Sequence, residues 1–253
     1  MDIINLIVKS CQHIVMCRAN DMEPIAFGSG CIAVYHGRKY LLSVAHVTDI
    51  EHSGACIDTG LPPVNLQTPL YSVGSMCYFD SYRTNKDLEA TIIKELEDLD
   101  LEFDETLEVT FCEIKEDFQI FQPQYDFGSY TIEPGPKCYL NLHEAGEPES
   151  GKYYGFAGRV RFEVDGILIR SQPTLKLDLT YVDSFGKYHI FKTPEVITDA
   201  DDYRGCSGAP ILDETGKLVG LVQSVGEGTD RIYAFSIEAC INLLDMAIKT
   251  NLV

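Results

Sequence analysis

Short runs rich in β-branched and aromatic residues, cut by glycine-containing turns, recur over most of this chain and mark it as a β protein. They include "IAFGSGCIAVY", "KYLLSVAHV", "LEVTFCEI", "DFQIF", "KCYLNL", "KYYGFAGRVRFEV", "ILIRS", "TLKLDLTYV", "APILDETGKLVGLVQSV" and "RIYAFSI". Many short strands joined by tight turns build barrels or a sandwich. Two segments carry a helical period instead. "NKDLEATIIKELEDLD" spaces Leu88, Ile92, Leu96 and Leu99 at three-to-four residues, and it lies in the strongly acidic stretch 87–108, so it reads as a small acidic helical insertion with a solvated face. "IEACINLLDMAIKT" places Ile237, Ile241, Leu244 and Ile248 on one side and predicts a C-terminal helix packed back onto the body. Between the strand groups, "QPQYDFGSYTIEPGPK" at 122–137 has Pro and Gly without periodicity and is the best candidate for a crossover between two halves.

A chain of 253 residues can bury a substantial core, either as one large β domain or as two closely packed smaller ones. Its formal net charge of -19 disfavours nucleic acid, since phosphate binding needs clustered Lys and Arg. A basic protein or peptide suits such a surface better, although acidity by itself mainly maintains solubility. The nine cysteines are odd in number and show no CxxC spacing, which predicts reduced, mostly buried thiols and no metal site. No cofactor motif is present, and none is expected. The opening "MDIINLIVKSCQHIVMC" has no basic leader region and breaks its apolar run with Lys9, Gln12 and His13. No apolar stretch approaches the roughly 18–20 residues that would span a bilayer. The expectation is a cytoplasmic protein with no membrane partner.

The most informative short stretch is Gly205-Cys206-Ser207-Gly208-Ala209-Pro210. It is either a plain strand-entry turn or a turn that presents Ser207 as a nucleophile. Glycines on both sides permit backbone angles closed to other residues and keep side chains away from whatever approaches the serine. Such a turn can aim the N–H groups of Gly205 and Ser207 at one spot, forming an oxyanion hole where a tetrahedral intermediate gathers charge. The turn leads into "APIL", "DETGK" and "LVGLV", a hairpin pattern. Far upstream, "GSGCIAVYHGRKYLLSVAHV" is a second hairpin pattern that ends at His46. An imidazole, with its pKa near working pH, suits proton removal from a serine and return to a leaving amine.

The "GSG" strand, the "SVAHV" ending, "GCSGAP" and "GKLVGLV", in that order, resemble the trypsin-like (chymotrypsin-fold) serine peptidases. The resemblance implies two antiparallel Greek-key β-barrels with the site between them. Residues 1–128 would carry the catalytic His46 and the acid; residues 129–253, opening at "KCYL", would carry Ser207 and end in the helix. It also implies peptide-bond hydrolysis through an acyl-enzyme, with Ser207 attacking and His46 as base and then acid. The family's acid begins a strand, and two segments qualify: "EVTFCEI" from Glu108 and "DFQIF" from Asp117, with Asp98, Asp100 and Asp104 as further alternatives. Val47 and Cys206 stand where secreted members have a disulfide cysteine and an activating aspartate. This points to the intracellular bacterial type and to an activating protein partner rather than N-terminal cleavage. Cys206 is one residue out of register as a nucleophile and is expected to pack beneath the turn. Asp201 holds the position at the base of the specificity pocket, which implies cleavage after Arg or Lys; the competing reading is a solvated acidic loop. Two rivals to a general endopeptidase stay open: a catalytically silent protein-binding relative, and a protease that cuts only itself or one dedicated partner.

Overall fold

The computed structural model describes residues 2–78 and 108–253. The expected insertion helix at 85–100, with Asp98, Asp100 and Asp104, lies outside the described residues. The chain opens with helix α1 (Ile3–Ser10), started by Asp2, whose carboxylate accepts from the Asn5 amide at 2.9 Å. Strand β1 (Cys11–Arg18) follows with no intervening loop and is buried along nearly its whole length.

That burial follows from its place in the sheet. β2 (Pro24–Tyr35), β3 (Arg38–Ser43), the one-turn helix α2 (Ala45–Thr48), β4 (Ser53–Asp58), β5 (Leu70–Gly74), β6 (Cys77–Tyr78) and β7 (Thr110–Glu113) come next along the chain. The strands order as β5-β4-β1-β2-β3-β7-β6, with β4 returning to lie beside β1. This is the Greek-key arrangement of four antiparallel strands. β1 is covered on both faces, Ile14 and Met16 by the main core and Val15 and Cys17 by a second cluster, so its sequence shows no polar alternation.

The crossover region holds β8 (Phe121–Gln122), β9 (Tyr125–Asp126), β10 (Thr131–Ile132) and β11 (Gly135–Pro136), in which β8 pairs with β11 and β9 with β10. β12 (Leu140–Asn141) then pairs in parallel with β2. The end of "KCYL", Leu140, therefore lies in the first sheet beside Ala33 of β2 instead of opening the second barrel.

The second barrel opens at β13 (Tyr153–Asp165) and continues with β14 (Leu168–Phe185), β15 (Tyr188–Lys192), β16 (Pro210–Asp213), β17 (Leu218–Gly226) and β18 (Arg231–Ser236). It closes in the order β13-β14-β15-β18-β17-β16, and β16 beside β13 repeats the Greek key. Phe156, Leu179, Phe191, Ile211 and Ile232 fill its interior and are fully buried. The first half is an open sheet among the described residues, and the two halves together give the two-barrel architecture.

Helix α3 (Ile237–Lys249) starts where the Ser236 hydroxyl accepts from the Ala239 amide at 3.4 Å. Its buried side chains are Ile237, Cys240, Leu243, Leu244, Met246 and Ala247, whereas Ile241 and Ile248 are only partly covered. The buried stripe is thus rotated from the expected one. Small Cys240 and Ala247 lie within it, on a helix seated against β17 and β18. Among the described residues, no helix is long and apolar enough to cross a membrane. All nine cysteines are free thiols.

Candidate active site

β3 runs directly into α2, which carries His46. Gly28 of β2 makes room for this: a Cβ there would lie 2.3 Å from Val47 Cγ1. The Thr48 hydroxyl bonds Thr110 Oγ1 at 2.8 Å and so ties α2 to β7. Because Ser43 of β3 pairs with Thr110 of β7, the residue two before Thr110 comes beside the residue three after Ser43. Those residues are Glu108 and His46.

His46 Nδ1 lies 3.0 Å from Glu108 Oε2, and the His46 backbone amide approaches the same oxygen at 3.4 Å. The hydrogen bond from His46 holds the Glu108 carboxyl below its ordinary pKa, against the opposing effect of burial. A carboxylate on Nδ1 fixes the tautomer with the proton on that nitrogen and leaves Nε2 as a lone-pair acceptor, the form a general base needs. Glutamate's extra methylene is accommodated because Glu108 sits just ahead of the strand. Asp117 lies elsewhere: its carboxylate pairs with Lys39, is 90% exposed and is not at the start of a strand. The pairing of β7 with β3 brings Glu108 to the histidine and leaves Asp117 on the surface.

The serine turn is held from several sides. The Cys206 amide donates to the Tyr203 carbonyl at 2.8 Å, and the Gly208 amide to Val222 of β17 at 2.7 Å. Gly205 and Gly208 take φ values of +109° and +87°. Neither position tolerates a side chain, since a Cβ at Gly205 would lie 2.4 Å from the Arg159 carbonyl and one at Gly208 2.0 Å from the Ser29 carbonyl. Among the described residues, the N–H groups of Gly205 and Ser207 donate to no acceptor. They are the two donors named from sequence for the oxyanion hole.

In this structure Ser207 Oγ donates to the Gln223 carbonyl at 3.3 Å. That carbonyl stands at a register shift between Val222 and Ser224 in the β17–β18 ladder. Cys206 is fully buried, its sulfur so close to β13 that a Cβ on Gly158 would be 2.7 Å from it. Burial pushes its thiol pKa well up, so it packs beneath the turn and offers no thiolate.

Ser29, between the two glycines of β2, joins the two halves. Its amide donates to the Ser207 carbonyl at 2.8 Å and its hydroxyl to the Gly205 carbonyl at 2.7 Å. Its own carbonyl accepts from Ser43 Oγ at 2.7 Å, three residues before His46. Ser29 is fully buried. It therefore links the histidine strand to both carbonyls of the serine turn, a role that a lone serine in a strand does not announce. Its place inside the "GSG" of a strand was the only sequence signal.

Asp201 lines a cleft of about 440 Å³ beside the serine turn, together with Phe27, Phe162, Arg204 and Gly205. It lies on a turn of 3₁₀ helix, Ala200–Asp202, with its side chain 54% exposed and Arg204 Nη1 at 3.2 Å. Asp199 and Asp202 are likewise exposed and engage Arg161. The exposure of the three carboxylates fits the solvated-loop reading, and the place of Asp201 in the cleft fits the specificity reading.

No family model matches the chain, and no curated protein matches it in sequence. Among solved structures, the chain is similar to a serine endoprotease from Yersinia pestis, with 12% identity over 97% of this chain and 65% of that one, at a TM-score of 0.53. It is also similar to an HtrA-type protease with a tripeptide, with 12% identity over 98% of this chain and 62% of that one, at a TM-score of 0.52. The chain thus spans just under two thirds of the length of each. With two Greek-key units and a histidine and a serine turn drawn from one unit each, the chain has the chymotrypsin-type fold of the serine proteases.

Proposed function

We propose that this chain is a serine endopeptidase in which Ser207 attacks a peptide carbonyl, His46 is base and then acid, and Glu108 holds the imidazole. The observation that carries this reading is the 3.0 Å contact of His46 Nδ1 with Glu108 in a chain whose serine turn keeps two free N–H donors. The serine proton passes to His46 Nε2 as Oγ bonds the carbonyl carbon. Gly205 and Ser207 N–H groups receive the oxyanion, and each such donor contributes about 3 kcal/mol in typical enzymes. His46 then protonates the departing amine, and water repeats the sequence on the acyl-enzyme to release the acid.

Ser207 Oγ must leave the Gln223 carbonyl before it can give its proton to His46. Releasing it costs one neutral hydrogen bond, about 1 kcal/mol. This geometry supports activation by substrate or by a protein partner that displaces the hydroxyl. The same hydrogen bond favours a second reading, a silent protein-binding relative in which the serine stays parked. Hydrolysis of an unfolded protein substrate by the wild type, absent in Ser207→Ala, supports the peptidase. An intact mass that shifts during expression only in the wild type would narrow it to autoprocessing. If wild type and Ser207→Ala are equally inert toward all substrates, the silent reading takes its place.

A further inference from the structure

A second group of polar side chains gathers where the β14–β15 hairpin meets the start of α3. Glu147, Ser184, His189, Ser236, Glu238 and Asn242 line a cavity there of about 220 Å³, and none of them belongs to the serine turn, to α2 or to β7. The pairing of β14 with β15 sets Ser184 directly opposite His189, and Ser184 Oγ lies 2.8 Å from His189 Nδ1 and 2.7 Å from the Tyr181 hydroxyl. Glu147 comes from the connector before β13, whose backbone is pinned beside β17. The Gly146 amide donates to the Leu218 carbonyl at 3.0 Å, and Lys217 Nζ donates to the Glu147 carbonyl at 3.4 Å. The Ser236 hydroxyl donates to Glu147 Oε1 at 3.1 Å. Glu238 and Asn242, four residues apart on α3 and so on one face, supply the remaining side.

One buried atom of this lining is left unsatisfied. His189 is 2% exposed, and among the described residues its Nε2 has no hydrogen-bond partner. Glu147 Oε2 stands 3.2 Å from it, but out of line for a hydrogen bond. Burial holds the imidazole down at about 4, so the ring is neutral near pH 7. When Nδ1–H donates to Ser184 Oγ, a neutral ring turns a lone pair toward the Glu147 side. Two acceptors then lie side by side with no donor to serve them, an arrangement that buried polar groups rarely keep without a ligand or a water.

The other polar groups point to the same kind of ligand. The Glu238 carboxylate and the Asn242 amide oxygen add acceptors, and Lys187 is the one basic residue in the lining. Its carbonyl accepts from the Ser236 amide at 2.8 Å, which ties the hairpin to the start of α3. Two carboxylates against one ammonium leave the lining negative, in a chain whose formal charge of -19 already draws cations toward it. A ligand that only donates suits these walls. A guanidinium has five N–H donors in one plane and no acceptor, so it can serve carboxylates on two elements and the imidazole nitrogen together. An ammonium is a compact, strongly hydrated point charge with three donors and matches so dispersed a set less well.

We infer that this cavity is a second binding site, apart from the proposed catalytic centre, that takes the guanidinium of an arginine side chain on a polypeptide partner, its N–H groups shared among Glu147, Glu238 and His189 Nε2. The site does not depend on the peptidase reading. Free arginine is a poorer fit, because its own carboxylate would stand near those of Glu147 and Glu238. The test titrates Nα-acetyl-arginine amide, its citrulline and lysine counterparts and free arginine into the full chain carrying Ser207→Ala, which removes turnover. Binding is followed by NMR of the histidine ring signals, assigned through the backbone. The arginine amide should shift the His189 signals to saturation, with the proton on Nδ1 and Nε2 unprotonated. It should bind at least tenfold more tightly than the citrulline amide, which keeps the shape and lacks the charge. Glu147→Gln and Glu238→Gln alter partly or fully exposed side chains, and each should weaken binding about tenfold with an unchanged melting curve. Asp201→Asn should leave binding unchanged, which separates this cavity from the cleft beside the serine turn. His189 signals that do not move, equal binding of the citrulline amide, stronger binding of the lysine amide, or binding lost only in Asp201→Asn would overturn the inference. Free arginine binding more tightly than the amide would overturn the polypeptide source.

Discussion

Replacing Glu108 by glutamine tests the geometry around His46 most sharply, because the change keeps size and shape and removes only the charge. In the wild type the carboxylate faces Nδ1 at 3.0 Å and becomes the partner of an imidazolium when His46 takes the serine proton. Two unit charges about 4 Å apart attract by about 4 kcal/mol at the effective dielectric of ~20 that suits protein sites. The imidazole is 40% exposed and the carboxylate 18%, so solvent screening lowers this to about 3 kcal/mol. Glu108→Gln should then reduce kcat by on the order of a hundredfold, with little change in KM. The assay is steady-state hydrolysis of one peptide by wild type, Glu108→Gln and Asp117→Asn. Asp117 is 90% exposed beside Lys39, so its amide should leave turnover within about twofold. Loss of turnover in Asp117→Asn with none in Glu108→Gln would refute the assignment, and so would a Glu108→Gln enzyme within threefold of wild type.

Three further outcomes follow from the same structure. Ser29→Ala removes the donor to the buried Gly205 carbonyl and should cost about 1–3 kcal/mol of stability as well as slowing acylation; an unchanged denaturation midpoint and rate would contradict its role as the link between the two halves. His13 is buried with no hydrogen-bond partner for either ring nitrogen among the described residues, and its pKa is held well below 6.5 by burial and by Lys137 and Arg159; burial likewise pushes His189 down to about 4. Both groups gain a proton more readily when unfolded, so stability should fall as pH drops below about 6.5, and a flat urea midpoint from pH 7 to 4.5 would contradict this. Asp201→Asn should change the ratio of cleavage after Arg to cleavage after Phe by less than about threefold, because its carboxylate is hydrated and held by Arg204; a collapse of a strong Arg preference would restore Asp201 to a specificity pocket.

What could be read from sequence was local. The serine between glycines, the histidine after an apolar strand and the hairpins around them are short-range patterns; the structure puts Ser207 on a turn, and His46 on α2 just beyond β3 where the pattern has it ending the strand. The choice between Glu108 and Asp117 was not local. Both precede apolar residues, and only the pairing of Ser43 with Thr110, across more than sixty residues, separates them. β1 is hard to read because both its faces are buried, which leaves no polar alternation, and α1 runs into it without a turn residue between Ser10 and Cys11. Ser29 was illegible for a related reason. Its significance lies in which carbonyls it meets across the two halves, and no spacing along the chain encodes that.

The central claim is that Ser207, His46 and Glu108 form a working nucleophile although the resting hydroxyl is hydrogen-bonded to Gln223. Covalent labelling with a fluorophosphonate, mapped by mass spectrometry on wild type, Ser207→Ala and His46→Ala, measures this most directly. The account predicts one adduct per chain on Ser207 and none in either variant. Folded wild-type protein that stays unlabelled with and without an unfolded protein substrate, or that carries its adduct on another residue, would contradict it.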